Sequence, residues 1–534
     1  MNDVMIRIVA CVVCACVFAV STVKSVGAMQ QGGYKNGAFL RWLKRKENMY
    51  YNRLCVLSLC LVLATSVTAL CFSFLGTRIA LSVSAFPFFG LTLLYTYSDG
   101  KYALKVPFKK TGRFCRLFAV YWLMIACVAY ILIAALWFLS EWNGSTLYAL
   151  IAYAPFAIMP LLLPYLLCLA NAVEGIFENA RNKKFVLRAG QTLEKSEIIR
   201  VGIVGSFGKT SVKNILKTIL SEKYSVVETP ESYNTPIGIA KTVFSPEFEN
   251  KQVFIAEMGA RKSGDISTLR DLVKPDYVVF TGVCEQHIAT FGSIENVWAE
   301  KKEILHGNFK AAVLGEDLKT FAGGEFDDES RIVFAKKDCI KEARYLPTKT
   351  VFSLVIDGAE IPVETALLGE VAVENIQLAA TLASKMGLTA AEIARGIEKL
   401  KPVPHRLQLL KNGGVYILDD GYNCNPRGAK QALLALGRFE GRKCVVTPGI
   451  VECGVLEESE NQTLGKEIAA LAPDKVILVG NTLVGAVKSG YADANGDMEK
   501  LTVVKTLTAA QEILSDWLLA GDCVLFLNDL PDVY

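Results

Sequence analysis

The stretch Val204-Gly205-Ser206-Phe207-Gly208-Lys209-Thr210-Ser211 decides how the second half of this 534-residue chain is expected to fold. It closes the apolar run 201–204, which has the length and composition of a buried strand. After it, apolar residues recur at positions 212, 215, 216, 219 and 220, the spacing of one helical face. The order strand, glycine loop, helix is the context in which a phosphate-binding loop is expected.

The residue types in this glycine loop (residues 204–211) suit a nucleotide phosphate. Its two glycines let the backbone approach an anion, and the first N–H groups of the following helix point toward it. Lys209 can reach the terminal phosphates, and the Thr210 hydroxyl can hold Mg²⁺. A glycine turn that merely begins a helix is the alternative, and the Lys-Thr-Ser sequence argues against it. We therefore predict nucleotide contacts from Gly205, Ser206, Gly208, Lys209, Thr210 and Ser211.

Composition separates an apolar first third of the chain from a more polar remainder. Hydrophobic residues make up 52% of the sequence, and the excess over a water-soluble enzyme lies before about residue 175. The formal net charge of +4 is too small to indicate a nucleic-acid partner, so we predict none. A chain of this length is expected to contain more than one domain.

Five apolar segments before residue 180 approach the length that crosses a bilayer. The connections 24–53, 101–116 and 181–188 carry the basic residues, which predicts that they and the following domains are cytoplasmic. The first segment is the weakest, and a cleaved signal peptide is its alternative. The segments are Ile8–Val20, Leu54–Leu75, Ile79–Tyr95, Leu117–Leu139 and Leu147–Leu169.

Beyond residue 193, predicted strands and helices alternate at the spacing of βαβ units, which indicates a mostly parallel sheet. A strand over 253–256 ends at Glu257, and another over 277–281 leads to His287. Side chains at the carboxyl ends of parallel strands face the crevice in which ligands bind. A carboxylate and an imidazole beside a phosphate loop suit Mg²⁺, although each alone is as well explained by a helix cap or a loop.

Longer motifs in this region resemble those of the Mur ligases. The loop sequence V-G-I-V-G-S-F-G-K-T-S resembles the ATP loop of that family. It is followed in the family's order by A-E-M-G-A-R-K-S-G-D-I, T-G-V-C-E-Q-H-I-A-T-F-G-S, W-A-E-K-K-E-I and D-D-G-Y-N-C-N-P. The resemblance covers about residues 185–534. Within the family, the chain is most similar to the ligases that add D-alanyl-D-alanine to UDP-N-acetylmuramoyl-tripeptide.

The resemblance implies a catalytic centre with ATP and two Mg²⁺ ions. Lys301 matches a lysine that the family carries as a carbamate, whose carboxylate binds the second ion. The pair Glu303-Ile304 fixes the register and selects Lys301 over Lys302. Without the resemblance, residues 300–303 are typical of a solvated helix face. The implied catalytic residues are Lys209, His287 and Lys301, and the implied metal-binding residues are Thr210, Glu257, His287 and Lys301.

The resemblance also implies nucleotide contacts outside the glycine loop. Asn375 matches a residue that contacts adenine, and Arg406 matches an arginine that contacts the ATP phosphates across a domain cleft. Asp420 is expected to accept the ribose hydroxyls, although the surrounding D-D-G-Y-N sequence is also typical of a turn. The usual histidine and asparagine of the adenine segment are Val371 and Ala372 here, so adenine contacts are expected to differ in detail.

Sequence and resemblance together predict three regions. A multi-span α-helical membrane region occupies residues 1–180, an α/β P-loop ATPase domain 185–400, and a Rossmann-like domain 402–534. Membrane spans are expected in place of the family's usual domain for the UDP-sugar. The implied location is the cell membrane, with several spans and cytoplasmic catalytic domains.

The implied function is ATP-dependent amide ligation in the synthesis of cell-wall precursors. The expected partners are a small-molecule or lipid-linked peptide precursor, and an amino acid or dipeptide that supplies the amine. One alternative is a membrane-bound ligase for another amino-acid or polyglutamate-like polymer. Another is a nucleotide-binding scaffold without catalysis. The joint presence of Lys209, Glu257, His287 and Lys301 argues against the scaffold.

Overall fold

The computed structural model divides the chain into two compact units, with the boundary between Asn182 and Lys183. The second unit extends to Leu530. The structure describes residues 3–44, 50–75, 77–100, 109–141, 154–284, 288–326, 330–422, 425–451, 453–480 and 483–528.

The first unit is built from helices, the last of which continues into the second unit. Two of these helices contain internal prolines: Thr77–Gly100 has one at position 87, and Ala154–Lys195 has two, at positions 160 and 164. The helices are α1 (Asp3–Ser21), α2 (Val23–Gln31), α3 (Asn36–Lys44), α4 (Tyr50–Cys71), α5 (Thr77–Gly100), α6 (Gly112–Glu141) and α7 (Ala154–Lys195).

Among the described residues, three helices are long and apolar enough to cross a membrane: Tyr50–Cys71, Gly112–Ala135 and Pro155–Lys195. A fourth results if Arg7–Ser21 and Val23–Gln31, which meet at an angle of 48°, form one broken span. The total of about five spans stays a prediction, because the predicted segment Ile79–Tyr95, which lies in α5, is not among the candidates found in the described residues.

The side chains of α4 are apolar on both the inner and the outer face. Leu57 and Leu61 are buried among other helices, whereas Val56, Leu59 and Leu63 on the outside are each more than half exposed. A surface helix in water normally carries polar residues on its outer face. An apolar outer face is therefore the arrangement expected of a helix surrounded by lipid.

Several ion pairs in this unit join charged side chains of different helices. Arg53 in the first turn of α4 pairs with Asp99 in the last turn of α5, with 3.0 Å between nitrogen and oxygen. Arg116 near the start of α6 pairs with Glu174 of α7 at 3.2 Å. Pairing offsets part of the cost of carrying charges within an apolar helical unit.

The second unit contains a six-stranded parallel sheet in the order β2-β3-β1-β4-β5-β6. Apolar side chains cover both faces, which is why its strands consist of continuous apolar runs. The strands are β1 (Ile199–Val204), β2 (Val226–Glu228), β3 (Val253–Glu257), β4 (Tyr277–Phe280), β5 (Ala311–Gly315) and β6 (Ile332–Ala335).

Helices and a small antiparallel sheet surround this parallel sheet. The small sheet consists of β7 (Ile340–Tyr345), β8 (Thr350–Ile356) and β9 (Ala359–Thr365). The helices are α8 (Lys209–Leu220), α9 (Pro236–Val243), α10 (Asp265–Val273), α11 (Ile288–Phe291), α12 (Ile294–Lys302), α13 (Lys319–Ala322), α14 (Glu370–Lys385) and α15 (Ala390–Glu398).

A second six-stranded sheet in the same unit has the order β10-β11-β15-β12-β13-β14. Its strands run parallel except for β10, which pairs with β11 in the antiparallel direction. The strands are β10 (Gln408–Asn412), β11 (Val415–Asp420), β12 (Lys443–Thr447), β13 (Lys475–Val479), β14 (Leu501–Val504) and β15 (Cys523–Leu527). The helices beside them are α16 (Pro426–Leu436), α17 (Glu457–Leu471), α18 (Val484–Asp493) and α19 (Leu507–Trp517).

Candidate functional site

The glycine loop connects β1 to α8, as its sequence predicts, and it lies against two neighbouring segments. A Cβ atom at Gly208 would lie 2.6 Å from Asn375 Oδ1, and one at Gly205 would overlap Thr281 Oγ1. Gly208 is also the residue before α8 and has a positive φ of 72°. The positive φ favours glycine at position 208, and the short distances show that Asn375 and Thr281 lie directly against the loop.

Two lysine amines meet at one carbonyl of the loop. Lys209 Nζ donates to Gly205 O at 2.7 Å, and Lys301 Nζ donates to the same oxygen at 3.0 Å. Burial lowers the pKa of Lys209. Burial, and then the neighbouring charge of Lys209, lowers the pKa of Lys301 to about 7.

Ser206 adds an unused polar group to the same loop. Its side chain is only 3% exposed, and its Oγ has no hydrogen-bond partner within the described part of the chain. Buried hydroxyls normally have a partner. An unpaired hydroxyl beside two buried amines is what a loop that binds an anion requires.

Glu257 reaches the loop because of the register between two parallel strands. It ends β3 and lies opposite Ile203 of β1, one residue before the loop begins. Its side chain is 2% exposed, and Thr210 Oγ1 donates to its Oε2 at 3.0 Å. A hydroxyl and a carboxylate are oxygen ligands of the kind that Mg²⁺ takes beside a phosphate, so these two residues fit that ion.

Of the two remaining predicted metal ligands, the structure describes Lys301 but not His287. His287 lies outside the described residues. Within the described ranges, no cluster of three or more histidines, cysteines and acidic residues could hold a metal ion. Lys301 shares a cleft with Glu257 and Thr210, but an unmodified amine does not ligate Mg²⁺.

The two candidate lysines, Lys301 and Lys302, are neighbours at the end of α12 and point in different directions. Lys301 is buried at the glycine loop, whereas Lys302 pairs with Glu325 near the surface at 2.9 Å. Glu300 accepts two backbone N–H bonds of 2.8 Å around the start of Asp265–Val273 and thereby fixes the helix. The two lysines thus lie in different surroundings, and the choice of Lys301 as the modified one stays a prediction.

The second sheet supplies the other wall of the cleft. Asp420 at the end of β11 and Arg406 just before β10 line one pocket together with Asn375 of α14 and part of the glycine loop. Arg406 also borders the adjoining pocket that holds Glu257 and Lys301. The Arg406 guanidinium lies 4.4 Å from the ring centre of Tyr422, whose hydroxyl is 2.6 Å from Ser232 Oγ. A side chain contact therefore crosses the cleft.

Two cationic side chains of this site escaped the sequence analysis. Arg427 lies 4.5 Å over the ring of Phe207 in the glycine loop and pairs with Glu374 at 2.6 Å and Asp317 at 3.0 Å. Lys213 is 1% exposed and lies 3.3 Å from Glu257 Oε2. The only sequence signal for Lys213 is its position one helical turn after Lys209.

The described predicted residues thus converge on one cleft of the second unit. The glycine loop and Glu257 border its phosphate side, and Asn375 and Asp420 border the part lined by apolar side chains. The residues brought together are Gly208, Ser206, Lys209, Thr210, Ser211, Glu257, Lys301, Asn375, Arg406 and Asp420. Gly205 contributes through its carbonyl oxygen.

Comparison with known proteins places residues 203–383 in the family described as Mur ligase middle domain. The UDP-N-acetylmuramoyl-tripeptide–D-alanyl-D-alanine ligase of Bacillus subtilis is 30% identical over 292 residues, which are 52% of this chain and 61% of that protein. The ligase of the same name from Escherichia coli is 28% identical over 331 residues, 59% of this chain and 72% of that protein. The chain thus spans less than two thirds of the Bacillus subtilis relative.

A solved structure supports the same relationship. The MurF ligase of Thermotoga maritima in complex with ADP aligns with a TM-score of 0.58 and 25% sequence identity. The alignment covers 65% of this chain and 80% of that protein. MurF of Acinetobacter baumannii, at 22% identity and a TM-score of 0.58, shows the same fold.

Proposed function

We propose that the chain is a ligase of the Mur family that joins D-alanyl-D-alanine to UDP-N-acetylmuramoyl-tripeptide with ATP, on the basis of the Mur ligase middle domain match over residues 203–383 and of the two relatives with that activity. One observation carries this proposal: Lys209, Thr210, Glu257 and Lys301 border one cleft that Arg406 also lines. A scaffold that only binds a nucleotide has no need of the buried Lys301 amine there. Under this proposal the first, parallel sheet belongs to the P-loop ATPase domain, and the second sheet belongs to the Rossmann-like domain.

The proposed reaction has two steps. A carboxylate oxygen of the acceptor attacks the γ-phosphorus of ATP, the bond to ADP breaks, and an acyl phosphate forms. The amine nitrogen of the dipeptide then attacks the acyl carbon, phosphate leaves, and the nitrogen loses its proton as the amide forms. Lys209 and Arg406 stabilise the negative charge on the transferred phosphoryl group, which is the largest contribution expected of the protein.

Mg²⁺ is expected at Thr210 and Glu257, whose oxygens lie 3.0 Å apart. When bound there, the ion neutralises charge on the phosphate oxygens. A carbamate on Lys301 would give a second carboxylate ligand. The pKa of about 7 supports this modification, because only the neutral amine reacts with carbon dioxide.

We further propose that the long apolar helices of the first unit cross the cell membrane and leave the catalytic unit in the cytoplasm. The outward apolar side chains of α4 support a lipid environment. Basic residues in the connections 24–53 and 101–116 support the orientation. A membrane location would bring the enzyme to lipid-linked as well as UDP-linked peptide precursors.

The test uses the full-length chain in detergent with ATP and Mg²⁺. UDP-N-acetylmuramoyl-tripeptide plus D-alanyl-D-alanine should release phosphate and give a product heavier by the dipeptide less one water, detected by mass spectrometry. Lys209→Ala should abolish both signals, whereas Lys217→Ala, on the exposed side of the same helix, should not. Product formation only with another amine or acceptor would indicate a different amide ligase. Nucleotide binding without phosphate release across the panel would favour the scaffold.

A further inference from the structure

Lys213 is a buried cation that the proposed reaction does not use. It lies on α8, one turn after Lys209, and only 1% of its side chain is exposed. Its amine donates to the carbonyl oxygens of Thr229, at 2.7 Å, and of Glu231. Its third neighbour is Glu257 Oε2 at 3.3 Å. All three hydrogens of the ammonium group thus have an oxygen to point toward.

The two carbonyls belong to the segment 229–235, which follows β2 and borders the cleft. Glu231 has a left-handed backbone, with φ of 44°, which is unfavourable for a side chain of this kind and persists only when neighbours hold it. The bond from Lys213 to the Glu231 carbonyl supplies such a hold. Ser232, Asn234 and Thr235 then line the cleft opposite the glycine loop.

The same segment also contacts Glu257 directly. Asn234 Nδ2 lies 3.4 Å from Glu257 Oε1, and the Glu257 N–H donates to Thr229 Oγ1 at 3.1 Å. Glu257 is therefore held on one oxygen by Thr210 and Lys213 and on the other by Asn234. One ammonium group thus joins the carboxylate expected to hold Mg²⁺ to a strained segment of the cleft wall.

We propose that Lys213 is a positioning residue that sets the Glu257 carboxylate and the 229–235 segment in one fixed arrangement. This inference rests on the proposed ligase function, because it assigns the 229–235 segment to the acceptor side of the cleft. Loss of the ammonium group leaves a buried carboxylate without its cation and two carbonyls without their donor. Metal binding and acceptor binding then weaken together, whereas the glycine loop, which Lys213 does not contact in these bonds, still binds nucleotide.

Lys213→Met tests the proposal because it keeps the length of the side chain and removes the charge and the donors. Lys213→Arg restores the charge, and Lys217→Met is the matched control, since Lys217 on the same helix pairs with Glu228 but is 44% exposed. Four quantities are measured on the full-length protein in detergent. They are metal-free ADP affinity by calorimetry, Mn²⁺ affinity with ADP by electron paramagnetic resonance, hydrogen exchange of residues 229–235, and the acceptor KM and kcat.

For Lys213→Met we expect ADP affinity without metal to stay within twofold, and Mn²⁺ affinity to fall about tenfold or more, as for other residues that orient a metal ligand. Amides of the 229–235 segment should exchange faster, and the acceptor KM should rise more than the ATP KM. Lys213→Arg should recover part of the Mn²⁺ affinity, and Lys217→Met should match the parent chain.

Unchanged Mn²⁺ affinity and acceptor KM in Lys213→Met, with only a lower melting temperature, would overturn the proposal and leave Lys213 a structural residue. If Lys213→Met does not fold, Lys213→Arg provides the test. Faster hydrogen exchange at residues 229–235 in Lys213→Arg, together with a parent-like Mn²⁺ affinity and acceptor KM, would overturn the proposal, because the segment would then be loosened without any effect on binding. Absence of ligase activity in the parent chain would instead refute the proposed function. The Mn²⁺ and hydrogen-exchange measurements would still decide the role of Lys213 in that case.

Discussion

Replacing Lys301 by methionine should make the second unit more stable while it removes ligase activity. The pKa of Lys301 is lowered from 10.5 to about 7 by burial and by the charge of Lys209. Keeping this amine buried at neutral pH therefore costs on the order of 4 kcal/mol relative to the unfolded chain. Methionine fills a similar volume without that cost.

The substitution also removes one hydrogen bond, which offsets part of the gain. Lys301 Nζ donates to Gly205 O, and a bond of this kind contributes about 1 kcal/mol. The Gly205 oxygen keeps its bond from Lys209 at 2.7 Å, so it does not become an unsatisfied group. The net gain for Lys301→Met at pH 7 is therefore about 3 kcal/mol.

The sign of the pH dependence follows from the lowered pKa. Between pH 7 and 10.5 the unfolded chain binds more protons at Lys301 than the folded chain does, so the parent protein gains stability as pH rises. The advantage of Lys301→Met should accordingly shrink to about 1 kcal/mol or less near pH 10. Below about pH 6, where Lys301 is protonated in both the folded and the unfolded chain, the advantage should be constant.

Urea unfolding of a fragment that begins at Lys183, in buffer free of carbon dioxide, measures this difference between pH 6 and 10. The fragment corresponds to one compact unit. Lys302→Met is the control, because Lys302 pairs near the surface with Glu325 and should change stability by less than about 1 kcal/mol. A Lys301→Met variant that is less stable than the parent at pH 7, or an advantage that does not vary with pH, would refute the reasoning.

Three further substitutions or truncations test other parts of the site. Lys209→Ala should lower the rate of phosphate release on the order of a hundredfold or more, because a fixed cation at the developing charge is lost, and Lys217→Ala should leave it within twofold. Gly208→Ala should weaken ADP binding in calorimetry, since Gly208 has a φ of 72° and its Cβ would lie 2.6 Å from Asn375 Oδ1; normal binding would show that the loop and the Asn375 side chain can adjust. If the acceptor is lipid-linked, the fragment from Lys183 should show a sharply raised KM for it and unchanged ATP affinity. Equal KM values for both proteins would leave the helices as a tether.

Elements whose signals are local could be predicted from the sequence. The strands β1 and β3 and the helix after the glycine loop lie where their apolar patterns indicate. The helical region after β9 is divided into two helices, α14 and α15, because Thr389 and Glu392 form a capping box that starts a new helix. This capping signal is local, so the sequence carries it.

The convergence of the site could be predicted only in part. Lys209 and Thr210 follow from the loop itself, and Glu257 follows from the rule that parallel strands present their carboxyl ends at one edge. Lys301 came from the family resemblance, because its contact with Gly205 spans 96 residues of sequence. Arg427 could not be predicted from the sequence. Its partners are two acids distant in sequence and the ring of Phe207, and only the folded chain brings them together.

Because the amines of Lys209 and Lys301 meet at the Gly205 carbonyl, we expect the order in which carbon dioxide and the nucleotide reach the site to matter. The charge of Lys209 helps to keep Lys301 neutral, whereas phosphates of a bound nucleotide in the same cleft would raise the pKa of Lys301 and leave less neutral amine. If Lys301 becomes a carbamate, carbon dioxide should therefore react faster before the nucleotide binds than after it. Protein freed of carbon dioxide, treated with ¹³C-bicarbonate with or without prior ADP, should show slower growth of the carbamate NMR signal after ADP. Equal rates would mean that the nucleotide phosphates do not act on Lys301, and a signal that persists in Lys301→Met would place the carbamate elsewhere.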